Sequence, residues 1–329
     1  MGTSNTGYIG GVNNSSPSPY FSRIDRFDYS SDTSTSIADN IFDPGSFGTT
    51  ATGNLTHGYF AGGQDITPSP TPGGLSVVRR LDYSNDTATT SPKGPLSSGH
   101  SYNGATGNIN FGYINIHSTS ITPLSQTTII TRIQYSNDTA TSSPKGNLIY
   151  QAGYNKATGS KDYGYWSAGF FTSYQYPNEY KSTVDRLDFA NDTTTAVTKG
   201  PLSTTLMRHA GFGGQQNQFG DAGTLVDKGA EGVFTTQNFP LGPGYGYWGG
   251  GAVYQGSGPG NYYPTISTMS RLDYANDTAG ASSKGPLSQA ADEVRAVASK
   301  THGYWTLGQM SSYIQRVDFG NDSPTTTNR

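Results

Sequence analysis

The sequence predicts an all-β fold built from six repeats of one small sheet, and three observations carry that expectation. One phrase recurs six times, first as Asp25-Arg26-Phe27-Asp28-Tyr29-Ser30-Ser31-Asp32-Thr33, with its arginine again at Arg80, Arg132, Arg186, Arg271 and Arg316. Those arginines stand 54, 52, 54, 85 and 45 residues apart, a period that marks arrays of one supersecondary unit. The composition is that of a turn-rich chain with an aromatic core: 44 Gly, 18 Pro and 23 Tyr among 329 residues, with 13% charged. Finally, the repeated phrase alternates with period two, whereas an extended 3.6-residue apolar period is absent.

Each unit reads as four strands. The first ends in Ala-Thr-Gly at Ala51, Ala105 and Ala157. The second is a Gly-Tyr-aromatic segment, as in Gly58-Tyr59-Phe60, Gly164-Tyr165-Trp166 and Gly303-Tyr304-Trp305. The third carries the arginine. In Val184-Asp185-Arg186-Leu187-Asp188-Phe189, Leu187 and Phe189 share one face while Arg186 and Asp188 share the other. Asn-Asp-Thr then supplies a turn, because both side chains bond their own backbone and tolerate left-handed geometry. The fourth strand is rich in Thr and stops at Lys-Gly-Pro-Leu-Ser, found at Lys93, Lys199 and Lys284. Residues 290–300 come nearest to a helix pattern, but their register with the other units predicts a first strand.

Four-stranded units with Gly doublets closing the second strand, at Gly10-Gly11, Gly62-Gly63 and Gly249-Gly250, resemble kelch repeats. That resemblance implies a six-bladed β-propeller spanning residues 1–329 as one domain. Seven blades with one degenerate, or a β-solenoid, are the alternatives. The wide spacing between Arg186 and Arg271 implies an insertion near residues 213–243. The chain opens at a second strand and closes at a fourth, so a three-stranded blade is the expected way to close the ring. A strand donated by another chain is the alternative. The phrase Tyr-Ser-Asn-Asp-Thr-Ala-Thr also resembles repeats of uncharacterised structural proteins of marine bacteriophages of the cyanophage type. This implies a virion context.

Several function classes fall away. A formal charge of −3 gives no basic surface for nucleic acid. No apolar run reaches the roughly 20 residues of a membrane span, and no signal peptide is evident. The absence of cysteine excludes disulfides and thiolate chemistry. The five histidines lack metal-binding spacing, so neither a metal nor a cofactor is expected. The pairs Arg26/Asp28, Arg80/Asp82, Arg186/Asp188, Arg271/Asp273 and Arg316/Asp318, with Arg132 facing Gln134, recur in every unit. They are expected to be structural, bonding laterally or to the neighbouring blade. Asn85, Asn137, Asn191, Asn276 and Asn321 match the glycosylation pattern, but Ser31 replaces Asn in the first copy, which favours turn chemistry.

The loops joining second and third strands differ between units. They carry the expected ligand contacts: Tyr174, Tyr176, Tyr180, Tyr254, Tyr262 and Tyr263. Exposed Tyr stacks on the apolar faces of sugars at low entropic cost. The expectation is a non-enzymatic virion or extracellular surface protein for structural display or recognition of host-surface glycans, with other surface proteins, and a homo-oligomer, as its partners. An assembly or fibre subunit, completing its propeller by strand exchange, and a polysaccharide hydrolase or lyase are the alternatives.

Overall fold

In the computed structural model the described residues are 1–3, 5–10, 24–38, 46–65, 74–102, 104–116, 127–150, 153–167, 169–173, 176–213, 224–227, 234–237, 244–253, 264–307 and 313–329. For 38, 46–47, 65, 170–173, 176–180, 224–227 and 234–237 only the backbone is described. Five antiparallel sheets have four strands in sequence order, and the first sheet has three. Blade 1 holds Thr6–Gly10, Ile24–Asp28 and Thr33–Ala38. Blade 2 holds Thr50–Gly53, His57–Ala61, Val78–Asp82 and Ser91–Pro92. Blade 3 holds Ala105–Gly107, Phe111–Asn115, Ile129–Gln134 and Ser143–Asn147. Blade 4 holds Lys156–Gly159, Tyr163–Ser167, Val184–Asp188 and Val197–Lys199. Blade 5 holds Ala210–Gly213, Tyr245–Gly249, Met269–Asp273 and Ser282–Lys284. Blade 6 holds Arg295–Ala298, His302–Thr306, Ile314–Asp318 and Thr327–Asn328. The stretch with the helix-like pattern is thus a strand.

The first strands of blades 2 to 6 pack against one another around a central channel. Blade 1 lacks a full first strand. In its place Met1–Thr3 turns back on the second strand, with the Tyr8 amide donating to the Met1 carbonyl at 2.9 Å and a bridge between Gly2 and Gly7. No seventh blade is present among the described residues. Thr224–Asp227, the faint echo of a third strand, pairs only with Phe234–Gln237, in the insertion between the first and second strands of blade 5. A second hairpin, Phe170–Ser173 with Tyr176–Tyr180, rises between the second and third strands of blade 4.

What joins the blades follows from the strand register. Tyr59 lies directly across from Arg80, Tyr165 from Arg186 and Tyr247 from Arg271. Cross-strand partners share a face, so each Tyr and Arg reach the same neighbouring blade. There both meet the aspartate of the Asn-Asp-Thr turn. Tyr165 donates to Asp277 at 2.9 Å and Arg186 at 2.7 Å, while Lys199 reaches the other carboxylate oxygen at 3.1 Å. The same guanidinium–carboxylate contact recurs all the way round. Arg26 pairs with Asp86 at 3.2 Å, Arg80 with Asp138 at 2.8 Å and Arg132 with Asp192 at 2.6 Å. Arg271 pairs with Asp322 at 2.7 Å, and Arg316 with Asp32 at 2.7 Å. The last pair joins blade 6 to blade 1, so the contacts close a ring.

Of the two bonds the sequence reading allowed, lateral or to the neighbouring blade, the arginines make the second. Asp28, Asp82, Asp188, Asp273 and Asp318 end their strands where the chain turns sharply. Each carboxylate accepts from the amide two residues ahead, at 2.8–2.9 Å. Gln134 makes no such bond to the backbone and reaches Ser136 instead. The acid therefore caps its own turn, while the arginine is left to span the gap.

Aromatic stacking follows the same order. The second-strand tyrosine of each blade lies flat on the aromatic that follows the third strand of the next. The pairs are Tyr8–Tyr83, Tyr59–Tyr135, Tyr113–Phe189, Tyr165–Tyr274, Tyr247–Phe319 and Tyr304–Tyr29, with centroids 4.5–5.3 Å apart. Trp166, Trp248 and Trp305, one residue on, are fully buried on the opposite face, as period two requires. Trp166 reaches back to the Gly104 carbonyl of blade 3 at 3.2 Å. The Gly doublet at Gly62-Gly63 has φ of +66° and +110°, and in blade 5 the left-handed pair is Gly250-Gly251 at +66° and +96°, one residue later than the doublet read from the sequence because Gly249 still belongs to the strand. This region is costly for any residue with a Cβ.

Candidate functional site

The ligand tyrosines expected from the sequence do not define a site in the described structure. Tyr174, Tyr254, Tyr262 and Tyr263 lie outside the described residues. Tyr176 and Tyr180 begin and end one strand of the blade 4 hairpin, and their side chains also lie outside the description.

The channel carries the most distinctive geometry. In blades 2 to 6 the chain enters the first strand through one residue in left-handed conformation. These are Gly48 (φ +70°), Tyr102 (φ +60°), Tyr154 (φ +57°), Arg208 (φ +54°) and Glu293 (φ +52°). Such φ values are uncommon for non-glycine residues and are true outliers for bulky ones. Each of the four non-glycine cases costs on the order of 1 kcal/mol, and such strain concentrates at functional sites. The common backbone brings two tyrosines, an arginine and a glutamate together at one end of the channel.

They touch in sequence order. The Tyr102 amide donates to the Gly48 carbonyl at 2.7 Å, and the Tyr102 ring occupies the space a Cβ on Gly48 would need. The Tyr102 and Tyr154 rings are 4.6 Å apart at 36°. The Arg208 guanidinium lies over the Tyr154 ring at 5.4 Å and reaches Asp292 at 3.5 Å. Below this arc is a cavity of about 300 Å³, at the small end of the volumes typical of ligand sites. Its walls combine Lys156 and Arg295 from two first strands with apolar groups such as Phe60, Phe212 and Val297.

Three cations, Lys156, Arg208 and Arg295, thus meet two carboxylates, Asp292 and Glu293. Burial lowers the Lys156 ammonium to about 8, and Arg295 adds to the effect against the opposing pull of Glu293. Burial also lowers Arg295. For Arg208 burial works downward, but Tyr154, Glu293 and Asp292 together outweigh it and hold the guanidinium above its ordinary value.

Behind Lys156 lies a buried Ser167–His209 pair, Oγ to Nε2 at 2.7 Å. Its direction is set by the serine, whose hydroxyl also donates to the Lys156 carbonyl at 2.9 Å, which leaves His209 as donor. Burial, then Lys156, push the His209 imidazole down to about 3. The pair braces the strand and presents no nucleophile to the cavity. Among the described residues no group of three His, Asp or Glu is placed to hold a metal ion.

These features sit on a fold that comparison identifies directly. No family model matches the chain, and no curated protein matches it. The solved structure of YjhT is similar, with a TM-score of 0.68 over 100% of this chain and 95% of that one, at 11% identity. The chain is a six-bladed β-propeller. At that identity the likeness extends to architecture alone, and the propeller's site must be read from its own residues.

Sequence reasoning missed this site because its members share a conformation and not a residue type. A signal exists in the register: Gly48, Tyr102 and Tyr154 each stand three residues before the alanine of Ala-Thr-Gly. Counting back from the equivalent positions Gly211 and Ala296 finds Arg208 and Glu293.

Proposed function

We propose that this propeller is a non-enzymatic recognition and display module of a virion or extracellular surface, binding a saccharide-sized ligand at the mouth of its central channel. One observation carries the reading: four side chains on strained backbone, Tyr102, Tyr154, Arg208 and Glu293, are gathered over a cavity of about 300 Å³. A repeated frame with a divergent arc is how binding proteins separate stability from specificity. Paired tyrosines beside charged and hydroxyl groups suit sugars, which offer apolar faces and hydroxyl edges. The virion setting rests on the resemblance of the Tyr-Ser-Asn-Asp-Thr phrase to phage structural repeats, and the kelch-like character on the Gly doublets. Partners on such a surface would be neighbouring structural proteins or further copies of this chain.

A glycan array probed with the wild-type chain and with Tyr154→Ala tests the reading. Binding by the wild type that falls at least tenfold in the variant is expected. Undiminished binding by Tyr154→Ala would move recognition away from the channel and toward the loops of Tyr174–Tyr180 and Tyr254–Tyr263.

A further inference from the structure

The cavity holds a cation that no described side chain bonds directly, although Glu293 acts on it from a distance. Among the described residues, Lys156 has no acceptor or carboxylate within hydrogen-bond distance of its ammonium group. The nearby cations are engaged. Arg208 reaches Asp292 at 3.5 Å and covers Tyr154, and Arg295 donates to the Glu293 carbonyl at 3.5 Å. Lys156 is partly buried at the first position of its strand, on the cavity wall. A cation withdrawn from water without a partner is costly, and an incoming anion removes that cost while gaining a charge-assisted hydrogen bond.

Resting on the reading of the channel as a saccharide site, we infer that its ligand is an acidic saccharide whose oxyanion seats on Lys156, with the sugar ring against Tyr102 and Tyr154. The confined volume limits the ligand to one or two sugar units. Lysine binds an oxyanion as a point charge, without the bidentate geometry that arginine imposes. The site therefore accepts a carboxylate or a sulfate, and the bound ligand decides between them.

The test is isothermal titration of the full chain with matched probes: glucose against glucuronate, galactose against galacturonate, and galactose against galactose 6-sulfate. At least one acidic member should bind tenfold or more tightly than its neutral counterpart. Lys156→Met, which keeps the length of the side chain and removes its charge, should erase that preference. Tyr154→Ala should weaken both members of the pair. A thermal melt of Lys156→Met, expected to be no lower than wild type because an unpaired buried charge is gone, checks that the variant is folded.

The wild type supplies a second readout. The charged or titratable groups around Lys156 and along the cavity wall are Arg295, Glu293, Asp292, Arg208, Tyr154, Tyr102, His209 and the Met1 amino group, and the last two, pushed down by burial to about 3 and about 6, are largely neutral in the working range. Binding of the acidic member should weaken as pH rises from 7 to 9.5. Equal or tighter binding of the neutral members overturns the inference and leaves the channel reading standing. An acidic preference that survives in Lys156→Met also overturns it. Absence of binding by every probe overturns both.

Discussion

At the scale of single residues, the turn aspartate is the decisive group. Asp277 is 6% exposed and receives Tyr165, Arg186 and Lys199 from the neighbouring blade. Asp277→Ala strands a buried hydroxyl and two cations, so it should cost about 3 kcal/mol. Arg186→Met leaves Lys199 on the carboxylate. Its side chain is a quarter exposed, so solvent screening reduces the loss to about 1 kcal/mol. Urea unfolding of the two variants checks the order. At Asp138, burial pushes the carboxyl up, but Tyr59, Lys93 and Arg80 outweigh it and leave it below its ordinary value of 3.8. A depressed folded pKa gives stability that is complete above the unfolded value and is lost as pH falls through the folded one. Urea unfolding across pH should therefore show wild-type stability dropping below about pH 3.8. Asp138→Asn should start lower at pH 7 and fall less steeply in that acid range.

At the scale of elements, left-handed turns set both stability and function. Gly62 and Gly250 share φ of +66°, but a Cβ on Gly62 would lie 2.5 Å from His100 Nε2, against 3.1 Å from the Ala291 carbonyl at Gly250. Both alanine variants incur about 1 kcal/mol of backbone strain. Gly62→Ala should lose more, because the fully buried His100 ring has little room to move. Thermal melts of the two should rank them so. At the channel mouth the comparison reverses. Arg208→Gly should be about 1 kcal/mol more stable than Arg208→Ala, since only the alanine keeps the strain, while both lose ligand affinity. Equal stabilities would mean that the turn relaxes and stores nothing. The strands themselves were legible in the sequence, because period two and the Gly-Tyr and Arg phrases fix which residues share a face. The partner of Arg186 was not legible. Periodicity assigns a face but not what lies opposite, and Asp277 looked like turn chemistry alone. The channel arc was hidden for a related reason: Tyr102, Tyr154, Arg208 and Glu293 share a left-handed φ across three residue types.

At the scale of the whole molecule, the ring is closed by side chains. Each blade takes its strands in order from one stretch of the chain, so among the described residues no strand is shared between the first and last blades. Three consecutive seams, from blade 3 to blade 6, unite an arginine, a lysine and a tyrosine on one carboxylate, as does the seam from blade 2 to blade 3. The seam from blade 6 to blade 1 has Arg329 in the lysine's place, 3.3 Å from Asp32. Asp32 itself sits at φ +54°, with one buried carboxylate oxygen lacking a hydrogen bond. The strained acceptor should make this seam, with the seam from blade 1 to blade 2, where among the described residues only Tyr8 and Arg26 reach Asp86, the first to open. Native-state hydrogen exchange tests that directly, because it separates local opening from global unfolding. Asp32→Ala should speed exchange in blades 1 and 6 while blades 3 and 4 stay protected. Asp192→Ala, at a seam whose carboxylate takes an arginine, a lysine and a tyrosine, should instead lower protection across the ring. Uniform loss in Asp32→Ala would show that the six seams act as one cooperative unit and that closure is no weaker than any other joint.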